Sequence, residues 1–185
     1  QQAQQVLPRL AQRLAGLQIQ ASDAPLVQLS KRLVRRIQTG TPPPTLRELQ
    51  VLADAIYGGS RAQGQYTTDD LYDAIEMAIN LHVLHNDGTF FDPQVNELSH
   101  AANVVTSLDA IRNNFPTKTV RTEETDLYQQ FSTPSSYAYV AAWVANLQPG
   151  DIVLEPSAGT GTLATFAAKA VGQSNVYVNE IGTRR

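Results

Sequence analysis

Apolar positions recur at helical spacing through the first two thirds of the chain. Leu7, Leu10, Leu14 and Leu17 predict one helix, and Leu26, Leu29, Leu33 and Ile37 a second. Gly40 and the prolines from Pro42 to Pro44 stop the second helix and turn the chain. Thr45 is placed to cap a third, which carries Leu46, Leu49, Leu52 and Ile56 and ends before Gly58 and Gly59. A fourth starts at Thr68, with Asp69 and Asp70 at its positive end, and carries Leu71, Ile75, Ala78, Ile79 and His82. Asp92 as cap and Pro93 in the first turn predict a fifth, running through Leu98, Val105, Leu108 and Ile111 and fraying near Asn113, Asn114 and Pro116. Aliphatic stripes of this kind are core-forming and assign no chemistry.

The pattern changes near residue 120. Residues 117–126 are polar and read as a linker, followed by a short helix carrying Tyr137, Val140, Ala141 and Val144. Pro149, Gly150 and Asp151 turn the chain into Ile152, Val153 and Leu154, a short buried strand. A glycine-rich loop comes next, then a helix from about Thr162 to Val171. A second strand, Val176 to Val178, ends at Asn179 and Glu180. Strand, helix and strand in this order open a doubly wound parallel sheet. The expected fold is therefore an all-α helical domain over 1–120, followed by an α/β part over 121–185.

Composition narrows the chemistry. With 42% hydrophobic and 17% charged residues, the 185-residue chain has the means to bury a core. The absence of cysteine removes disulfides, thiolate metal sites and cysteine nucleophiles together. Of the three histidines, His82 and His85 share a helix face, with Asp87 as the nearest further ligand; this set falls short of a zinc site, and no metal is expected. A formal net charge of −3 argues against a nucleic-acid binder driven by overall charge, although Lys31, Arg32, Arg35 and Arg36 form a local basic run that reads either as a solvated helix face or as a phosphate contact. A helix-turn-helix DNA reader among the helices stays open, without a clear tight turn and polar recognition helix to support it. No run of about 18 apolar residues occurs, so no membrane span is expected. The start at Gln1 and the end at Arg184 and Arg185 suggest a piece of a longer protein.

The loop carries the chemistry. It reads Glu155-Pro156-Ser157-Ala158-Gly159-Thr160-Gly161-Thr162-Leu163-Ala164. Glycines between a strand and a helix let the backbone approach a ligand closely. Glu180 follows Gly161 by 19 residues, at the end of the next strand, where a carboxylate accepts hydrogen bonds from both hydroxyls of a ribose. An adenosine-bearing ligand is expected. Gly159, Gly161 and Ala164 also satisfy the dinucleotide fingerprint, which keeps a nicotinamide- or flavin-dependent oxidoreductase in view. Glu155, just before the loop, would repel a pyrophosphate and suits a ligand with a positive amine and sulfonium; its plainer reading is a cap on the loop. A phosphate-binding P-loop is excluded, because no Gly-Lys-Ser/Thr occurs and Lys169 lies too far from Gly161.

Glu155-Pro156-Ser157-Ala158-Gly159-Thr160-Gly161 resembles the first S-adenosylmethionine motif of DNA methyltransferases that modify the adenine amino group. Upstream, Gln130-Phe131-Ser132-Thr133-Pro134 is similar to the element that precedes this motif in the modification subunits of type I restriction enzymes. The resemblance covers 121–185, about a third of the chain. It implies the start of a Rossmann-like class I methyltransferase sheet with S-adenosylmethionine as cofactor. It further implies that Thr133 bonds the cofactor carboxylate, with Phe131 and Pro134 shaping the wall. Glu155 and the loop residues Ser157, Ala158, Gly159, Thr160 and Gly161 would hold the amino-acid part, and Glu180 the ribose. A plainer reading of Ser132 and Thr133 is the N-cap of the helix beginning near Pro134. Gly58 to Gly64, followed by Tyr66 and Thr67, looks like the N-terminal region of large methylase–helicase proteins of bacteria, phages and plasmids, some described as strawberry-notch-like. The implied setting is cytoplasmic, with DNA as partner.

That family transfers the methyl group at a loop reading Asp/Asn/Ser-Pro-Pro-aromatic, which stacks the flipped base. No such tetrapeptide occurs among the 185 residues; Pro42 to Pro44 is flanked by Thr41 and Thr45. The expectation is a truncated methyltransferase domain with no catalytic residues, no methyl transfer of its own, and sheet edges that invite self-association. A non-enzymatic helical module that binds DNA or another partner is the remaining alternative.

Overall fold

A computed structural model describes residues 17–86, 88–117 and 132–182. Among these residues the chain forms six α-helices and a two-stranded parallel sheet. The helices are α1 (Pro25–Thr39), α2 (Leu46–Tyr57), α3 (Thr68–Leu84), α4 (Leu98–Asn113), α5 (Ser135–Val144) and α6 (Thr162–Val171). The strands are β1 (Val153–Glu155) and β2 (Val176–Val178), paired Val153 to Val176, Leu154 to Tyr177 and Glu155 to Val178. Leu7, Leu10 and Leu14 lie outside the described residues, as does most of the linker.

The helix ends follow from local chemistry. α1 and α2 both stop at a glycine in the left-handed conformation, Gly40 and Gly58. Thr45 and Glu48 form a reciprocal capping box at the start of α2. α3 starts at Thr68 as expected, and Thr67 just before it forms a capping box with Asp70. The stretch from Gly58 to Thr67 is an ordered connector: Ser60 and Gln63 brace a short 3-10 turn, and buried Tyr66 donates to Asp54 Oδ1 at 2.6 Å.

Three expectations are corrected. The helix assigned to Asp92 and Pro93 begins at Leu98 instead. Asp92 closes a turn, accepting the Gln94 amide on its side chain at 2.9 Å and the Val95 amide on its carbonyl at 3.1 Å. An Asp-Pro pair suits such a turn as well as a helix start. On α5 the stripe Tyr137, Val140 and Val144 faces outward, while Ala138, Tyr139 and Ala142 are buried. The first strand runs one residue later than expected and is not a buried one: Ile152 and Leu154 are exposed, as is Tyr177 beside Leu154 on β2.

Among the described residues, two apolar clusters form the core. The first joins α1, α2 and α3 through residues such as Leu29, Leu33, Leu49, Leu71 and Ile75, with Leu17 and Phe115 against them. The second draws Val83, Phe90, Phe91, Val104 and Leu108 together with Tyr139, Phe166 and Val171, so residues on both sides of the polar stretch share one core. α6 packs on one face of the small sheet and against α3 and α5. None of the helices among the described residues is long and apolar enough to cross a membrane.

Burial holds the His82 imidazole below its ordinary value of 6.5. Its ring meets Phe90 edge-on, with centroids 5.3 Å apart. The unfolded chain takes up a proton near the ordinary value while the folded chain resists it. This contribution to stability is therefore complete above that pH and is lost as the pH falls toward the lower folded value. A His82→Phe variant is expected to lose less thermal stability than the parent between about pH 7 and about pH 5. Parallel melting profiles across that range would contradict it.

Candidate functional site

β1 delivers the chain to the glycine-rich loop, and α6 begins directly after it, capped by Gly161. Gly159 and Gly161 both take positive φ, 54° and 85°. A side chain is strained there, so the tight turn itself requires glycine. A Cβ built on Gly161 meets nothing within 4 Å, which leaves the space beside this backbone open to another molecule. With glycine at the cap, α6 has no side chain closing its N-terminus. Its first-turn amides lie toward the loop.

The two parallel strands bring the acidic residues to the same end of the sheet. Glu155 ends β1, and Asn179, just past β2, donates its amide to the Glu155 carbonyl at 2.9 Å. Ala158 in turn donates to the Asn179 carbonyl at 2.9 Å. Glu180 then reaches across: its Oε2 accepts the Gly159 amide at 2.7 Å and its Oε1 the Gly182 amide at 2.7 Å. The Glu155 side chain turns back on its own loop, accepting the Ser157 amide at 3.1 Å.

A cavity of about 470 Å³ opens beside the loop. Ala158, Gly159, Thr160, Gly161 and Glu180 form its polar end, and Met77, Leu81, Val176 and Val178 contribute apolar walls. Of the residues expected to hold S-adenosylmethionine, Ala158, Gly159, Thr160, Gly161 and Glu180 line this hollow, and Ala164 of the dinucleotide fingerprint lines it too. Glu155 and Ser157 stand next to it without lining it. Thr133 and Pro134 are placed immediately before α5 and do not line it either. Neither Ser132 nor Thr133 caps α5, whose cap is Pro134 with no side-chain bond. Phe131 lies outside the described residues.

α3 supplies a part of the site that sequence reasoning did not find. Asn80, buried in α3, donates its amide to the Thr160 carbonyl at 3.0 Å and to Thr162 Oγ1 at 3.2 Å. Glu76, one turn earlier, accepts from the Thr160 hydroxyl at 3.0 Å. The available signal was a polar stripe on an otherwise apolar helix: Asp69, Asp73, Glu76 and Asn80 recur at helical spacing.

The other candidates fall away from the loop. Lys169, at the far end of α6, donates to the Asn86 carbonyl. In the basic run, Lys31 pairs with Asp23 at 2.9 Å and Arg36 grips the Pro42 carbonyl, so both serve local structure. His85 Nδ1 lies 2.9 Å from the Leu81 carbonyl, and Asp87 lies outside the described residues. Among the described residues, no group of three or more acidic, histidine or cysteine side chains is placed to hold a metal ion. No known protein family, characterised protein or solved structure matches the chain.

Proposed function

We propose that the glycine-rich loop and Glu180 hold the nucleoside of S-adenosylmethionine, and that the protein to which these residues belong methylates the adenine amino group of DNA. One observation carries the reading: the Glu180 carboxylate stands at the end of β2, 2.7 Å from the Gly159 amide, where the loop and an open hollow meet. Parallel sheets take ligands at the carboxyl ends of their strands, and this is that end. The open space at Gly161 and the lack of a side-chain cap on α6 fit close approach of a small ligand to backbone. The resemblance of 121–185 to adenine-amino methyltransferases selects the ligand. On this reading β1, α6 and β2 open a Rossmann-like doubly wound sheet, with 1–120 as a helical domain before it. S-adenosylmethionine, when bound, supplies the methyl group. Glu180 anchors the ribose, while the loop orients the amino-acid end; Thr133 and Pro134 stand outside the hollow and take no part.

A dinucleotide reading keeps one supporting observation: Gly159, Gly161 and Ala164 all line the cavity. Calorimetric titration separates the two. Saturable binding of S-adenosylhomocysteine with no heat from NAD is expected. Tight NAD binding without a response to S-adenosylhomocysteine would overturn the assignment. The described residues include no base-stacking loop, and the 185 residues are expected to bind ligand without transferring methyl to DNA.

A further inference from the structure

The loop needs more than its own sequence to keep its shape. Two residues at positive φ make it conformationally demanding, and Thr160 lies between them. Thr160 also precedes the α6 cap, so its carbonyl has no partner in the α6 ladder. A buried or half-buried carbonyl in that position requires a donor from elsewhere. The donor comes from a helix 80 residues away in sequence.

We propose that α3 is the positioning element of the glycine-rich loop: Asn80 and Glu76 hold Thr160 and Thr162 so that the loop is set for its ligand before the ligand arrives. Asn80 is 5% exposed, and its two amide hydrogens match the two acceptors it meets, the Thr160 carbonyl and Thr162 Oγ1. The Thr160 hydroxyl, on the other side of the same residue, donates to Glu76 Oε2. One residue of the loop is thus fixed through both its carbonyl and its side chain, and the first residue of α6 through its hydroxyl. Met77 and Leu81, on the same helix, line the hollow beside the loop. The helical part of the chain is on this account a wall and a fastener of the site, and a loop freed from it would have to be ordered by the ligand, weakening binding.

The inference rests on the ligand reading above for its affinity arm and stands apart from it in its second arm. Asn80→Asp keeps the shape of the side chain but turns an oxygen toward both acceptors. Asn80→Ala removes the donor altogether, and Thr160→Val removes only the bond to Glu76. Hydrogen exchange, measured without ligand on the full chain, is expected to speed up about tenfold at the amides of residues 158–161 and the first turn of α6 in each variant, with the rest of the molecule unchanged. Thr160→Ser is expected to restore the parent's exchange. S-adenosylhomocysteine binding should weaken about tenfold in Asn80→Asp and Asn80→Ala. Unchanged loop exchange in a folded variant, or acceleration spread evenly over the molecule, would overturn the proposal. If the parent binds no S-adenosylhomocysteine, the ligand reading fails, and the exchange arm still decides whether α3 positions the loop. Should Asn80→Asp fail to fold, Thr160→Val gives the same exchange comparison.

Discussion

Replacing Glu180 with alanine is expected to weaken S-adenosylhomocysteine binding roughly 100-fold. The magnitude follows from two charge-assisted bonds to the ribose hydroxyls, at about 1.5 kcal/mol each. The same change releases the Gly159 and Gly182 amides, so the loop loses its tie to β2 as well. A carboxylate accepts up to about four hydrogen bonds, which makes amide and ribose contacts compatible at one side chain. Glu180→Gln sharpens the test. Its amide group has one oxygen to accept with, so either Gly159 or Gly182 would face an NH2 group, and the two ribose bonds would lose their charge. An intermediate loss of affinity is expected for this variant. If both variants bind as the parent does, Glu180 is a staple for the loop and no ribose ligand.

The largest loss of stability is expected at Phe166. Its side chain is completely buried and meets Tyr139 edge-on at 5.9 Å, and Tyr139 in turn meets Phe91 at 5.9 Å. Burial pushes the Tyr139 phenol above its ordinary value, in keeping with a ring enclosed by other side chains. These three rings tie α6, α5 and the segment before α4 into one core. Phe166→Ala should cost about 3–5 kcal/mol, the range for truncating a buried phenylalanine. For a chain of this size that lowers the melting temperature by about 6–20 °C. Phe166→Leu, which keeps most of the volume, should cost much less. Calorimetric melting checks both, and a Phe166→Ala variant that melts with the parent would mean that the second cluster is no core.

Much of the fold is legible where the determinants are local. Thr45 with Glu48, Gly40, and Gly58 mark helix ends through bonds within a few residues, and the structure places them as the sequence implies. The span of α6 and the second strand follow in the same way from a glycine loop, an apolar periodic run and a β-branched triplet. Asp92 fails as a helix cap because the same side chain also closes a turn, and nothing in the residues themselves separates the two uses. The buried face of α5 is not legible for a different reason. Almost every position in Ser135–Val144 is apolar or small, so periodicity cannot choose between Tyr137 and Tyr139.

The candidate site divides along the same line. Its loop and its acidic residue are contiguous patterns, readable from glycine spacing and from the distance to the next strand. The contribution of α3 is a non-local contact, and a single asparagine at a core position does not say which carbonyl it will meet. Likewise, spacing alone places both Glu155 and Glu180 at the sheet end, yet only Glu180 turns toward the hollow, because Glu155 is taken up by the Ser157 amide of its own turn.

On the proposed reading, the turn after β1 and Glu180 together seat the adenosine and amino-acid parts of S-adenosylmethionine. The decisive experiment is the titration with S-adenosylhomocysteine, followed amide by amide in nitrogen–proton correlation spectra. Saturable shifts concentrated at Ser157, Ala158, Gly159, Thr160, Gly161 and Glu180 are expected. Spectra that do not change, or shifts confined to helices remote from this loop, would contradict that reading.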